Sequence, residues 1–238
     1  RSGADVVHIS PSHHFPTGTV TPASRRYELL GWAAKQKGRY IIEDEYDSEF
    51  RLVGNPIPAL QSIDASDKVI YMNTFSKSLS STIRISYMVL PIPLMVRYNH
   101  VLSFYACTVS NFDQYTLTRF IQEGYLEKHI NRMRKFYRNS RDRILGCIRS
   151  HRLYPQVTIK EENAGLHFLM EIDTSYTDRE MVDRAAAAGI NISSLSQYCH
   201  GKEQEDSHTL VINYSGIEED IIEEACDRLL ESVVRLTT

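Results

Sequence analysis

The sequence predicts an α/β protein, with a mostly parallel sheet and its helices in residues 1–150 and a smaller α+β domain in residues 151–238. Three observations predict it. Short apolar runs alternate with helical-period segments from Val6 to Leu90, the pattern of strand, helix and strand units. A long segment from Tyr125 to Ser150 carries Leu126, Ile130, Met133, Tyr137, Ile144 and Ile148 at the spacing of one helix face. Beyond Pro155 the strands are short, and helices separate or follow them, which is an α+β pattern.

Val6-Val7-His8-Ile9 is an apolar run closed by Pro11-Ser12-His13-His14-Phe15-Pro16-Thr17-Gly18, so it predicts a buried strand and a turn. Pro22 then opens a helix marked by Leu29, Leu30, Ala33 and Ala34, with Gly38 at its end, and Arg39–Glu43 is the next strand. Strand, helix and strand in this order predict a right-handed parallel crossover. Lys68–Met72 and Ile85–Leu90 are two further strands, the second stopped by Pro91 and Pro93. A helical stretch follows from about Leu94, and Ser110 is placed to cap the next helix. In the last third, strands are expected at 156–160, 166–172 and 210–213, with helices at 178–188 and 218–230.

With 42% hydrophobic residues the chain has the composition of an ordinary globular protein, and its net charge of −3 gives no overall drive toward nucleic acid. No apolar stretch is long enough to span a bilayer and Arg1-Ser2-Gly3-Ala4-Asp5 is not a signal peptide, so a cytoplasmic location is expected. Cys107, Cys147, Cys199 and Cys226 are far apart in sequence, which excludes a Cys-x-x-Cys zinc site and suggests reduced thiols, most of them buried. No nucleotide-binding glycine motif is present, and adjacent His13 and His14 lack the further ligands a metal needs. Arg132, Arg134, Lys135, Arg138, Arg141 and Arg143 do not share one narrow helix face and are expected to form a solvated, salt-bridged surface. A first residue of Arg, entering a strand almost at once, is expected of a chain that starts inside a larger protein.

The chemistry concentrates around Lys77. It ends the run Tyr71-Met72-Asn73-Thr74-Phe75-Ser76-Lys77, with Arg84 seven positions later and Asp44-Glu45-Tyr46 a strand upstream. A lysine, a strand-end carboxylate, a phenol and an arginine are the groups that pyridoxal 5'-phosphate requires. The lysine forms a Schiff base, and the carboxylate keeps the pyridine nitrogen protonated so that the ring is an electron sink. The phenol donates to the ring oxygen, and hydroxyls with a guanidinium hold the phosphate. Asp44, Tyr46, Thr74, Ser76 and Arg84 are the residues assigned to those tasks, and open α/β sheets place their ligands at such strand ends.

Ser12-His13-His14-Phe15-Pro16-Thr17-Gly18, Ile41–Phe50, Thr74–Leu79, Arg84–Pro91, His129–Met133 and Ala164-Gly165-Leu166-His167 together resemble the aminotransferase-like effector domain of the MocR/GabR family of GntR-type bacterial regulators, GabR in particular. The resemblance runs in order through nearly the whole chain. It implies a pyridoxal-phosphate fold with a Schiff base on Lys77, Asp44 at the ring nitrogen, Tyr46 at the ring oxygen and Arg84 at the phosphate. It also implies that His14 or its neighbour His13 lies beside the cofactor. A seven-stranded sheet is implied, of which this chain holds the later strands. The phosphate-cupping amides, the ring-stacking aromatic and a winged-helix DNA-binding region would all precede Arg1. A homodimer and an amine or amino-acid effector are implied as partners, with DNA bound only through that N-terminal region.

One departure bears on function. Members of the family hold a substrate carboxylate with an arginine on the strand before the last helix, whereas this chain reads Leu210-Val211-Ile212-Asn213-Tyr214-Ser215-Gly216-Ile217. Without that anchor, sensing of the cofactor or an amine is expected rather than efficient turnover. Asn213, Tyr214 and His167 are the neutral groups left to bind a ligand, and Arg51 is an alternative carboxylate anchor. A working class I/II aminotransferase is the alternative reading.

Overall fold

The computed structural model describes residues 3–55, 57–199 and 206–234. It divides into two compact units: the first takes the chain up to His14, Thr19–Glu49 and Gly54–Met133, and the second takes Phe15–Gly18, Phe50–Val53 and the chain from Arg134 onward.

Unit one contains β1 (Val6–Ile9), α1 (Ala23–Ala34), β2 (Tyr40–Glu45), β3 (Val69–Thr74), α2 (Phe75–Ser78), β4 (Ser86–Val89), α3 (Ile92–Leu102) and α4 (Asn111–Gln122). Its sheet has the order β1-β2-β3-β4, with the first two pairings parallel and β3–β4 antiparallel. The expected parallel unit is therefore present, and α1 packs on it through Ala33, which shares a core with Ile41, Leu60 and Val69. Ser110 caps α4 by accepting the Asp113 N–H at 3.1 Å, as its place before the helix predicts.

β2 runs two residues further than its apolar content indicates. Glu43 and Glu45 alternate with Asp44 on the pleat and lie on the buried face with Ile41, so charged residues continue the strand.

Helix α5 (Tyr125–Ser150) has the expected limits. Gly124 precedes it at φ +73, a left-handed conformation that glycine adopts without a Cβ penalty and that separates α5 from α4. The basic face is only partly as expected. Arg143 is exposed and paired with Glu223, but Arg141 is buried, with Nη1 donating to the Glu162 carbonyl at 3.0 Å.

Unit two contains β5 (Val157–Lys160), β6 (His167–Ile172), α6 (Asp178–Ala187), β7 (Ser193–Ser194), β8 (Thr209–Asn213) and α7 (Ile222–Val233). The sheet order is β5-β6-β8-β7, antiparallel throughout. β7 is a two-serine strand with no apolar pattern to reveal it, held by its pairing with Leu210 and Val211. α6 begins with a capping box between Thr177 and Glu180. α7 begins at Ile222 rather than Glu218, because Glu219–Ile221 forms a 3-10 turn. Phe168, Met170, Ile172, Met181, Leu210 and Leu230 fill the core of this unit.

The cysteine expectation is corrected in part. Cys226 is buried and Cys147 half-buried, but Cys107 and Cys199 are exposed; all four are free thiols.

Candidate functional site

The residues assigned to chemistry all lie in unit one, where they divide into two groups around the C-terminal ends of β2 and β3. The first group is joined by hydrogen bonds. Thr74 ends β3 and caps α2, with Oγ1 accepting from the Ser76 N–H at 3.2 Å and lying 3.1 Å from Ser76 Oγ. Arg84 Nη1 donates to Ser76 Oγ at 3.4 Å, and Ser76 Oγ donates to the Ile83 carbonyl at 3.1 Å. The antiparallel pairing of Ser86 with Thr74 returns the chain so that Arg84 reaches this cluster. Two hydroxyls and an exposed guanidinium thus converge on Ser76, the residue directly before Lys77, whose side chain is also exposed.

The second group is carried by β2 and the loop after β1. Asp44 pairs in register with Met72, two positions before Thr74, and lies on the opposite face of the pleat from Glu43 and Glu45. Its Oδ2 is 3.2 Å from His8 Nε2. Tyr46 follows the strand directly, and its hydroxyl donates to the His13 carbonyl at 2.9 Å. Burial above all, reinforced by the nearby Asp47, Asp44 and Glu45 carboxylates, pushes the Tyr46 phenol well above its usual range, so it remains a hydrogen-bond donor.

The two histidines have separate environments. His13 is buried, with Nδ1 2.8 Å from Asp47 Oδ2, whereas His14 is exposed and its backbone N–H bonds to the Thr19 carbonyl.

Beneath these groups lies a buried ionic network that the motifs do not reveal. Arg26 is 1% exposed and donates to the carbonyls of Thr21, Pro58 and Pro11 and to Ser12 Oγ. Glu43 accepts the backbone N–H groups of Leu60 and Gln61 at 2.6 and 2.9 Å, and Glu45 accepts from Ser12 Oγ at 2.7 Å. Burial pushes the Glu45 carboxyl up to about 7, against the opposing Ser12 hydrogen bond and Arg26 charge. Burial also raises Glu43. The sequence signal for this network is the two-residue period of Ile41, Glu43 and Glu45, which continues the buried face of the strand.

In unit two, β8 carries no arginine, and the neutral groups expected to take a ligand are engaged within the protein. The Tyr214 hydroxyl donates to the Gly165 carbonyl at 2.5 Å, and His167 Nε2 lies 3.2 Å from the Pro16 carbonyl. Asn213 Oδ1 accepts from the Ser215 N–H and hydroxyl. Arg51 sits in a bridge with Ala164, and its Nε is buried without a hydrogen-bond partner. One cluster of metal-ligating type occurs among the described residues, His151 with Asp227 and Glu231. The Leu153 N–H donates to His151 Nδ1, which leaves Nε2 to carry the ring proton, and Arg152 holds both oxygens of Glu231. Glu231 is thus held by Arg152 and the His151 N–H faces Asp227, so this is a hydrogen-bonded ion-pair network on the surface.

The described geometry is a mixed sheet with a lysine just beyond a strand end, a carboxylate on the neighbouring strand and a hydroxyl–guanidinium cluster beside it. The chain belongs to the aminotransferase class I and II family, whose model matches residues 4–229. It is 41% identical over 226 residues to the uncharacterized HTH-type transcriptional regulator YdeL of Bacillus subtilis, covering 94% of this chain and 48% of that protein. It is 32% identical over 237 residues to the probable rhizopine catabolism regulatory protein MocR of Rhizobium meliloti, covering 99% and 47%. The chain therefore spans about half the length of these regulators. Among solved structures, kynurenine aminotransferase of Pyrococcus horikoshii, crystallised with PMP, superposes with a TM-score of 0.83 at 28% identity, covering 96% of this chain and 56% of that one.

Proposed function

We propose that this chain is the pyridoxal-phosphate-binding, effector-sensing part of a GabR-like, MocR-type transcriptional regulator. The observation that carries the cofactor reading is the Thr74–Ser76–Arg84 cluster beside exposed Lys77, with Asp44 on the neighbouring strand. That donor set has the chemistry of a phosphate monoester site. Hydroxyl groups and a planar guanidinium match the phosphate oxygens, and a carboxylate and a protonated phenol remain for the ring. The regulator reading rests on the similarity to HTH-type proteins across nearly the whole chain.

In this reading Arg84, Thr74 and Ser76 hold the phosphate, and Lys77 holds the cofactor covalently through Nζ. When bound, the cofactor supplies an electron-withdrawing ring to an amine joined to its aldehyde carbon. Asp44 keeps a proton on the ring nitrogen, and the Tyr46 phenol, kept protonated by its surroundings, donates to the ring oxygen. Of the two histidines His14 is the one assigned to the cofactor in this reading, since it is exposed while His13 is buried against Asp47. An effector amine would compete with Lys77 for the cofactor, and differential affinity for two conformations would transmit binding to an attached DNA-binding region. The apolar side chains exposed on α3 and α4, among them Ile92, Val96, Phe112 and Tyr115, suit a homodimer contact.

A second reading, turnover as a class I/II aminotransferase, is favoured by the similarity to a solved aminotransferase over 96% of the chain. The absence of an arginine on β8 weighs against it. A visible absorbance titration with pyridoxal 5'-phosphate tests the cofactor reading. Wild type is expected to develop a saturable band that Lys77→Ala lacks and that Arg84→Ala needs at least about tenfold more cofactor to reach, the loss of one charge-assisted phosphate contact. Equal titration curves for the three proteins would reject it. Amino transfer to a keto acid at enzymic rates would decide for the second reading.

A further inference from the structure

Asn73 marks the point where β3 outruns its neighbour. Its partner on β2 is Glu45, the residue at which β2 ends, so Thr74 lies one residue beyond that pairing. The Thr74 N–H is instead taken by a side chain, donating to Asn73 Oδ1 at 2.6 Å. Successive strand residues point to opposite faces, so Asn73 stands on the other face of the sheet from Thr74 and shares a face with Tyr71. There it is 4% exposed, and its amide nitrogen donates to Glu49 Oε1 at 2.9 Å and to the Tyr71 hydroxyl at 3.1 Å. Oxygen and nitrogen of this buried amide are therefore both engaged, which fixes its orientation. Two links follow. Through the Thr74 N–H, Asn73 holds the residue whose Oγ1 caps α2 and meets Ser76 Oγ. Through Glu49, in the 3-10 turn Ser48–Phe50, it ties this strand end to the segment that carries Tyr46.

We propose that Asn73 is a positioning residue for the phosphate end of the cofactor site, acting through the Thr74 N–H and itself held by Glu49. The inference rests on the pyridoxal-phosphate reading above and assigns Asn73 no contact with the cofactor. Its task is to keep the Thr74 and Ser76 hydroxyls where Arg84 meets them. Removing the amide leaves the Thr74 N–H without its partner and frees the end of β3, so the two hydroxyls lose their fixed placement. A ligand with a phosphate would feel that loss. A ligand with the same ring and aldehyde but no phosphate would not.

The test compares equilibrium binding of pyridoxal 5'-phosphate and of pyridoxal, which lacks the phosphate, to the intact chain. Wild type is expected to bind pyridoxal 5'-phosphate the more tightly. Asn73→Ala should weaken pyridoxal 5'-phosphate about fivefold or more, the loss of one buried hydrogen bond, while pyridoxal stays within about twofold of wild type. Glu49→Ala should shift the ratio of the two affinities in the same direction. Glu49→Gln, whose amide oxygen can still accept from Asn73, should keep the wild-type ratio. Urea denaturation of each protein establishes that it is folded, and the Glu49 pair carries the test if Asn73→Ala does not fold. An equal loss for both ligands in the folded variants, or an unchanged ratio, would overturn the positioning role and leave the cofactor reading standing. A wild type that binds neither ligand saturably would overturn the cofactor reading and this inference with it.

Discussion

In unit two, β6 and β8 are buried at every position but one each, whereas in unit one β4 is exposed along its whole length and β1 is never fully buried. Charge is distributed the other way. Among the described residues unit one buries Arg26, Glu43, Glu45 and Asp47, while the buried charged residues of unit two are Arg141 and Asp178; each unit also buries one histidine, His13 and His167. Unit two is thus organised by apolar packing, and unit one by a polar network beneath the strand ends that carry the candidate site. A buried ionic network can fix the β2 strand end and the His13 loop at defined positions. The candidate site residues lie in the unit whose strands are the less buried.

This contrast can be broken experimentally, and the largest effect is expected at Arg26. Arg26→Ala removes the guanidinium from four acceptors and leaves Glu43 and Glu45 without their buried cation. Breaking a buried charge network in this way costs ~3–5 kcal/mol, measurable by urea denaturation. A loss below about 1 kcal/mol, the scale of an exposed ion pair, would show that the network does not organise unit one. In unit two the corresponding deletion is Leu230→Ala, a fully buried side chain. Its expected cost is ~2–5 kcal/mol from lost transfer and a residual cavity, with no effect on a cofactor titration.

The pH dependence sharpens the same comparison. The folded chain holds a proton on Glu45 up to about pH 7, while the unfolded chain releases it near 4.5. The folded state therefore binds more protons in that window, so the Glu45 contribution to stability falls as pH rises from 4.5 to 7 and is level above it. Glu45→Gln should remove this slope, changing the difference from wild type by at most ~3 kcal/mol between pH 4.5 and 8. Parallel stability–pH curves for the two proteins would contradict the assignment. The smallest effect is expected at Arg152, whose pairing with Glu231 is largely exposed. Arg152→Ala should lower stability by less than ~1 kcal/mol, and by less still in high salt.

The parts of the fold that were legible are those in which apolar residues follow a single period. α5 has its expected limits because its apolar stripe is unbroken and Gly124 stops what precedes it. The first parallel unit was legible from Val6–Ile9, the helix after Pro22 and the next apolar run. β7 was not, since Ser193 and Ser194 owe their strand conformation entirely to β8. The run Glu43–Glu49 reads on charge alone as an acidic loop, but the structure carries β2 as far as Glu45 and buries Glu43, Glu45 and Asp47. Their partners, Arg26 and the backbone around Leu60, lie far away in sequence. For the candidate site, residue types and spacing were sufficient to select Thr74, Ser76 and Arg84. What draws them into one cluster is the return of the chain along β4, a pairing that the spacing does not encode.

The measurement that bears most directly on the proposed function is covalent mapping. The chain is saturated with pyridoxal 5'-phosphate, reduced with borohydride, digested and sequenced by mass spectrometry. A single phosphopyridoxyl label on Lys77, absent from Lys77→Ala and weakened by Arg84→Ala, is the predicted result. Label spread over surface lysines of folded protein, with Lys77 no more reactive than Lys35 or Lys37, would contradict it.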